Sequence, residues 1–166
     1  MMTTAPVPAI GSAAPDFTLD ATSGSKVSLA EFRGRRDVLL AFFPLAFTST
    51  CTAELCAISD DYGTFTRLGV EVIPISVDSV ATLKEYRAKY HLGVELASDF
   101  RRDVSRAYGT LNEERFYSNR AYFLIDREGR VRWRHVETAN RDKRDNAELF
   151  AEIEKLGRRE TADRRR

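Results

Sequence analysis

The 166 residues carry 26 lysines and arginines against 25 aspartates and glutamates, and 43% of them are hydrophobic. That length fits one domain with a proper core, and a net charge of +1 gives no electrostatic reason to expect nucleic acid or an anionic membrane as partner. No stretch approaches the roughly 20 apolar residues that span a bilayer, and the start, MMTTAPVPAIGSAAPDF, lacks the basic and apolar regions of a secretory signal, so a cytoplasmic location is expected.

Taken in order, DFTLDATSGSKVSLAEF reads as two short strands around a Gly/Ser turn, entering a helical turn near Leu29. Asp37 to Phe43, DVLLAFF, is apolar without alternation, the pattern of a strand buried on both faces, and Pro44 ends it. From about Thr50 to Arg67 the spacing predicts one helix, with Leu55, Ile58, Tyr62 and Phe65 on a stripe. Val70 to Asp78 is the next buried strand. Pro74 within it cannot donate to a ladder, so an edge or a bulge is expected there. A helix over Ser79 to Tyr90, a short strand near Val94 to Leu96 and a helix around Arg102 to Tyr108 follow. AYFLIDREGRVRWRHV predicts a hairpin turning at Arg127 to Gly129, and a last helix covers roughly Asn146 to Leu156. There is no repeat and no internal linker. Residues 1–157 are expected to form one domain, and the charged residues 158–166 a frayed tail.

Strand, helix, strand, helix, then a hairpin and a helix imply an α/β fold: a mixed central sheet with helices on both faces, the layout of a thioredoxin-like domain with an N-terminal β-hairpin added. Sites in such sheets gather where a strand's carboxyl end gives way to a helix. PLAFTSTCTAELC, Pro44 to Cys56, lies at such a junction and contains both cysteines of the chain. Two cysteines in a reducing compartment more often mean catalysis, redox sensing or metal than a structural staple.

A thiol reacts as its thiolate, and the few per cent present at neutral pH must be increased by the surroundings. Cys51 falls in the first turn of the predicted helix, where unpaired N–H groups and the helix dipole favour an anion. Thr48 can offer a hydroxyl to the sulfur or to a bound oxygen, and Pro44 and Phe47 can screen the pocket from water. No charged residue lies between Val38 and Ala53, so a cation must come from elsewhere in the chain. Arg120 is the best candidate, because it immediately precedes a buried strand, where an arginine usually has a task or a partner.

At these residues the chain resembles a peroxiredoxin. Pro44, Thr48 and Cys51 match that family's motif of proline, three residues, threonine, two residues, cysteine, and Glu54 matches its frequent following glutamate. The likeness runs through GSAAPDFTL, FFPLAFTSTC, PISVDS, LASDF, RAYG and NRAYFLIDREG. FFPLAFT resembles the alkyl hydroperoxide reductase E type. Cys56, five residues after Cys51, resembles the resolving cysteine of the bacterioferritin comigratory protein (peroxiredoxin Q) type.

The resemblance implies a thiol peroxidase in which Cys51 attacks a peroxide and becomes a sulfenic acid. Thr48, Cys51 and Arg120 hold the substrate, with Phe47 and Glu54 lining the site. Cys56 then closes a disulfide that a thioredoxin-like or other dithiol protein reduces. It further implies no metal or organic cofactor and a homodimer formed edge to edge near the active-site loop. Several alternatives stay open. One is a one-cysteine peroxidase resolved by an external thiol. A dithiol–disulfide oxidoreductase of the same fold would require Cys-x-x-Cys, whereas four residues separate these cysteines. A metal site of Cys51, Cys56, His91 and His135 lacks paired-ligand spacing, and a non-catalytic interaction module is the last.

Overall fold

The computed structural model describes residues 3–166. The chain opens with a hairpin, β1 (Thr18–Ala21) and β2 (Lys26–Ser28), and a 3-10 turn (Leu29–Phe32). Next come β3 (Asp37–Phe42), α1 (Ser49–Asp60), α2 (Tyr62–Arg67), β4 (Val70–Ser76), α3 (Val80–Lys89), β5 (Ala97–Ser98) and α4 (Asp103–Ala107). A two-stranded ribbon of β6 (Leu111–Asn112) and β7 (Tyr117–Ser118) precedes β8 (Ala121–Ile125), β9 (Val131–Val136) and α5 (Asn146–Arg164). Seven strands form one mixed sheet in the order β2-β1-β5-β4-β3-β8-β9.

β3 lies in the interior of this sheet, next to the middle strand β4. It pairs in parallel with β4 and antiparallel with β8, and all six of its residues are buried. Its side chains divide by parity, as a pleated strand requires. Leu39 and Ala41 enter a cluster with residues of α1, α2, α3 and α5; Val38, Leu40 and Phe42 enter a second, with Val104 of α4 and Phe17. Helices therefore cover both faces, as expected.

The structure corrects three of the expected elements and decides between an edge and a bulge at Pro74. The long helix breaks at Asp61 into α1 and α2. Asn146, at the start of α5, donates its side-chain amide to the Ala57 carbonyl at 2.9 Å and to the Asp61 carboxylate at 2.8 Å, tying α5 to the junction, while the Ala57 carbonyl still accepts the Asp61 N–H at 3.2 Å. Pro74 causes no bulge: β4 is interior in the sheet order, and it stays in register opposite Ala41. The Phe43 N–H donates to the Ile75 carbonyl, so the backbone of Pro74 faces the β5 side, where pairing begins only at Ile75. The missing donor falls at a local edge. The strand expected near Val94 to Leu96 lies at Ala97–Ser98, because Leu96 exchanges hydrogen bonds with Thr22 beyond the end of β1. Finally, α5 continues past Leu156 to Arg164, so the charged C-terminal stretch is helical rather than frayed, with Glu160 brought against Asp37.

Candidate active site

The loop from Pro44 to Thr48 joins the end of β3 to α1. Pro44 is buried, and the Ala46 N–H donates to the Asp78 carboxylate at 2.8 Å, which also accepts from Ser76 at 2.7 Å. Phe47 adopts a left-handed backbone (φ 67°), costly for a residue with a Cβ, and so turns the chain sharply into the helix. Thr48 is the N-cap residue in extended geometry.

Four residues of α1 are buried, Cys51, Glu54, Leu55 and Ile58. Their spacing of three, four and seven puts them on one helical stripe facing the sheet. Cys51 is only 1% exposed and packs in the cluster that holds Phe43, Ala46, Leu55 and Tyr122. Opposite this stripe, Arg120 and Tyr122 stand two residues apart at the start of β8 and share one face of the sheet.

Arg120 supplies the cation. It is 1% exposed, and its Nη2 lies 3.2 Å from Cys51 Sγ and 3.1 Å from the Asn140 carbonyl. Its Nη1 donates to Glu54 Oε1 at 2.9 Å. The other oxygen of Glu54 accepts a short hydrogen bond from the Tyr122 hydroxyl, which in turn accepts from the Arg144 N–H at 3.0 Å. Glu54, 2% exposed, has its carboxyl pushed up by burial, while Arg120 and Tyr122 act to hold it down. The arginine is held the other way: burial disfavours its charge, and Glu54 and Cys51 restore it, with a net rise. A carboxyl and a thiol thus share one sealed guanidinium.

The residues singled out from the sequence are distributed unevenly about this centre. Cys51, Glu54 and Arg120 meet in direct contact. The Thr48 hydroxyl does not donate to the sulfur; it donates to the Leu45 carbonyl at 2.8 Å, leaving its oxygen lone pairs as acceptors. Phe47, expected to screen the pocket, is 45% exposed instead, with its ring 4.9 Å from that of Tyr86 and Lys89 over its face. Its left-handed backbone carries the side chain outward. Cys56 is partly buried on the same helix and, like Cys51, a free thiol. His135 pairs with Glu137 at 3.2 Å, and among the described residues no three His, Cys, Asp or Glu side chains gather as a cation would require. Tyr122, Asn140 and Asp78 were not singled out from the sequence. Only Tyr122 left a trace there, by standing two residues after Arg120 in an extended run.

Comparison with known proteins identifies the family. Residues 10–134 match the AhpC/TSA family. Alkyl hydroperoxide reductase E of Mycobacterium tuberculosis is 39% identical over 126 residues, covering 75% of this chain and 82% of the relative. A chloroplastic 2-Cys peroxiredoxin of Spinacia oleracea is 36% identical over 133 residues, 74% of this chain and 50% of the relative. Among solved structures, the reduced 2-Cys peroxiredoxin of Plasmodium vivax superposes with a TM-score of 0.86 at 31% identity, covering 92% of this chain and 83% of that one. The chain belongs to the AhpC/TSA family, the peroxiredoxins, and is a thiol-dependent peroxidase on a thioredoxin-like fold.

Proposed function

We propose that Cys51 is the thiol that reduces hydrogen peroxide and alkyl hydroperoxides in the cytoplasm, and that Cys56 resolves it. The observation that carries this reading is the 3.2 Å contact between Cys51 Sγ and the buried Arg120 guanidinium. A guanidinium at that distance offers the sulfur a charge-assisted hydrogen bond in a site closed to solvent.

The thiolate attacks the terminal peroxide oxygen, the O–O bond breaks, and the leaving oxygen departs as water or an alcohol after taking up the peroxide's proton. Cys51 is left as a sulfenate, which takes a proton from water to become the sulfenic acid. Thr48, whose hydroxyl proton is committed to Leu45, accepts the hydroperoxide O–H, and the Cys51 N–H and Arg120 stabilise charge on the leaving oxygen. Support for the arginine's part comes from its Nε, which is buried without a protein partner.

Cys56 next attacks the sulfenic sulfur, an S–S bond forms and water leaves. In an intact helix, positions five apart have Cα atoms about 8 to 9 Å apart, beyond the roughly 7 Å that a disulfide tolerates. Both cysteines lie within α1, so its first turns open before the bond closes. A thioredoxin-like or other dithiol protein then reduces the disulfide. We further infer a homodimer through the face carrying the exposed Phe47 ring, a surface on which burial of aromatic area is the available gain.

Stopped-flow oxidation of the reduced protein by several peroxides, followed by mass spectrometry of Cys51 and Cys56, tests the reading. Fast oxidation, a Cys51–Cys56 linked peptide after one equivalent, and sulfenic or over-oxidised Cys51 in Cys56→Ser are expected. A reduced Cys51 after peroxide treatment would refute the assignment. Oxidation without the linked peptide would instead make this a one-cysteine peroxidase resolved by an external thiol.

A further inference from the structure

We propose that Tyr122 is a positioning residue for the Cys51 thiolate, acting through Glu54 and Arg120, an inference that rests on Cys51 being the peroxide-reducing thiol. Glu54 has two oxygens and the guanidinium is a planar fork, and the favoured pairing of those groups is bidentate. That pairing is not what the site contains. Glu54 Oε1 takes Arg120 Nη1, while Oε2 is occupied by the Tyr122 hydroxyl. The guanidinium therefore keeps Nη2 for Cys51 Sγ, at 3.2 Å, and for the Asn140 carbonyl.

Glu54 is sealed from solvent, so water cannot take the tyrosine's place without a rearrangement of the core. An oxygen of Glu54 released from Tyr122 becomes a competitor for the guanidinium, and it competes with the sulfur. The same hydroxyl accepts the Arg144 N–H, which helps to hold it in place against Glu54. Tyr122 thus controls the carboxyl group that contends with Cys51 for the guanidinium. Its own ionisation is pushed up, first by burial and then by the Glu54 carboxylate, so the hydroxyl remains a donor throughout the working pH range.

The test is stopped-flow oxidation by hydrogen peroxide between pH 5 and 8 for the reduced wild type, Tyr122→Phe, Glu54→Gln and the double variant, with circular dichroism to establish folding. Tyr122→Phe is expected to oxidise about tenfold more slowly, the loss of roughly one charge-assisted hydrogen bond's worth of alignment. The acid fall-off of its rate should move to higher pH. Because the tyrosine acts through Glu54, adding Tyr122→Phe to Glu54→Gln should cause no further slowing. If Tyr122→Phe does not fold, that second comparison decides alone, since neither protein in it has a buried carboxylate at position 54. A folded Tyr122→Phe with the wild-type rate and pH profile would overturn the proposal, and so would a double variant clearly slower than Glu54→Gln. Failure of the wild type to oxidise at Cys51 would bring down the functional reading with it, whereas a reactive wild type with an indifferent Tyr122→Phe brings down only the role of the tyrosine.

Discussion

Glu54, facing the sheet beside the carboxyl end of β3, and Asp37, the first residue of β3, are both nearly sealed from water, at 2% and 5% exposure. Near the thiol, the buried carboxylate is given a guanidinium and a tyrosine hydroxyl. At the other end of the strand, Asp37 has one oxygen with no hydrogen-bond partner and faces another acid, Glu160 of α5. Burial, and then Glu160, push its carboxyl up to about 7, with Arg127 acting weakly the other way and Asp126 adding to the rise. One buried acid is balanced by a cation, the other by a proton. The first solution leaves a guanidinium that also reaches the thiol of Cys51. The second makes the docking of α5 depend on pH.

The largest effect is expected at the sulfur. Cys51→Ser should abolish peroxide consumption, because oxygen is nearly isosteric with sulfur but a far poorer nucleophile at neutral pH, and the circular dichroism should be unchanged. Retained turnover would mean that the guanidinium serves some other group.

Removing the cation comes next. Arg120→Met leaves Glu54 buried without its partner, so denaturant unfolding should show a loss of roughly 3 to 5 kcal/mol. Oxidation of Cys51 should slow by on the order of a hundredfold, as when one preorganised donor is lost. A normal rate in a destabilised protein would confine the arginine to a structural role.

At the other carboxyl the sign follows from proton linkage. Asp37 binds its proton more tightly folded than unfolded, where 3.8 is the ordinary value, so stability is fully present below about pH 4 and falls as pH rises through about 7. Asp37→Asn, which keeps a donor toward Glu160 at all pH, should remove most of this slope. The gain at pH 8 should be roughly 2 kcal/mol, with no change in the rate of peroxide attack. A parallel pH dependence in both proteins would show that Asp37 stays ionised by another route. The smallest effect is expected of Glu160→Gln, a gain of about half a kcal/mol at pH 8, since this side chain is partly in water. Equal thermal unfolding of this variant and the wild type at pH 8 would place the Asp37 effect in burial alone.

Much of this was legible in the chain. The unbroken apolar run up to Phe43 read as a strand covered on both faces, and β3 is an interior strand buried on both sides. Pro44, Thr48 and Cys51 marked the turn from strand to helix, and Arg120 stood out because an arginine at the mouth of a buried strand requires a partner. Such inferences rest on periodicity and on the cost of burying charge, which are local properties of sequence. Glu54 was legible in part: its place three residues after Cys51 puts it on the inward stripe, yet in isolation it reads equally as a residue favouring the helix dipole.

Other features were decided only by contacts between distant segments. Asn146, 85 residues away, is tied to Asp61 at the junction of α1 and α2, and the course of α5 past Leu156 brings Glu160 to Asp37 at the far end of the sheet. Phe47 points outward because a left-handed backbone turns it, and nothing in its apolar character announced that. Tyr122 was one aromatic among several in a strand, and its hydroxyl acquired a role only when β8 was laid beside β3 under α1. Residue types and spacing determined which side chains carry chemistry and which elements bear them. The partners of each buried polar group were left to the tertiary structure, because a buried donor or acceptor must be satisfied by whatever group packing brings within 3 Å, however far away it stands in the chain.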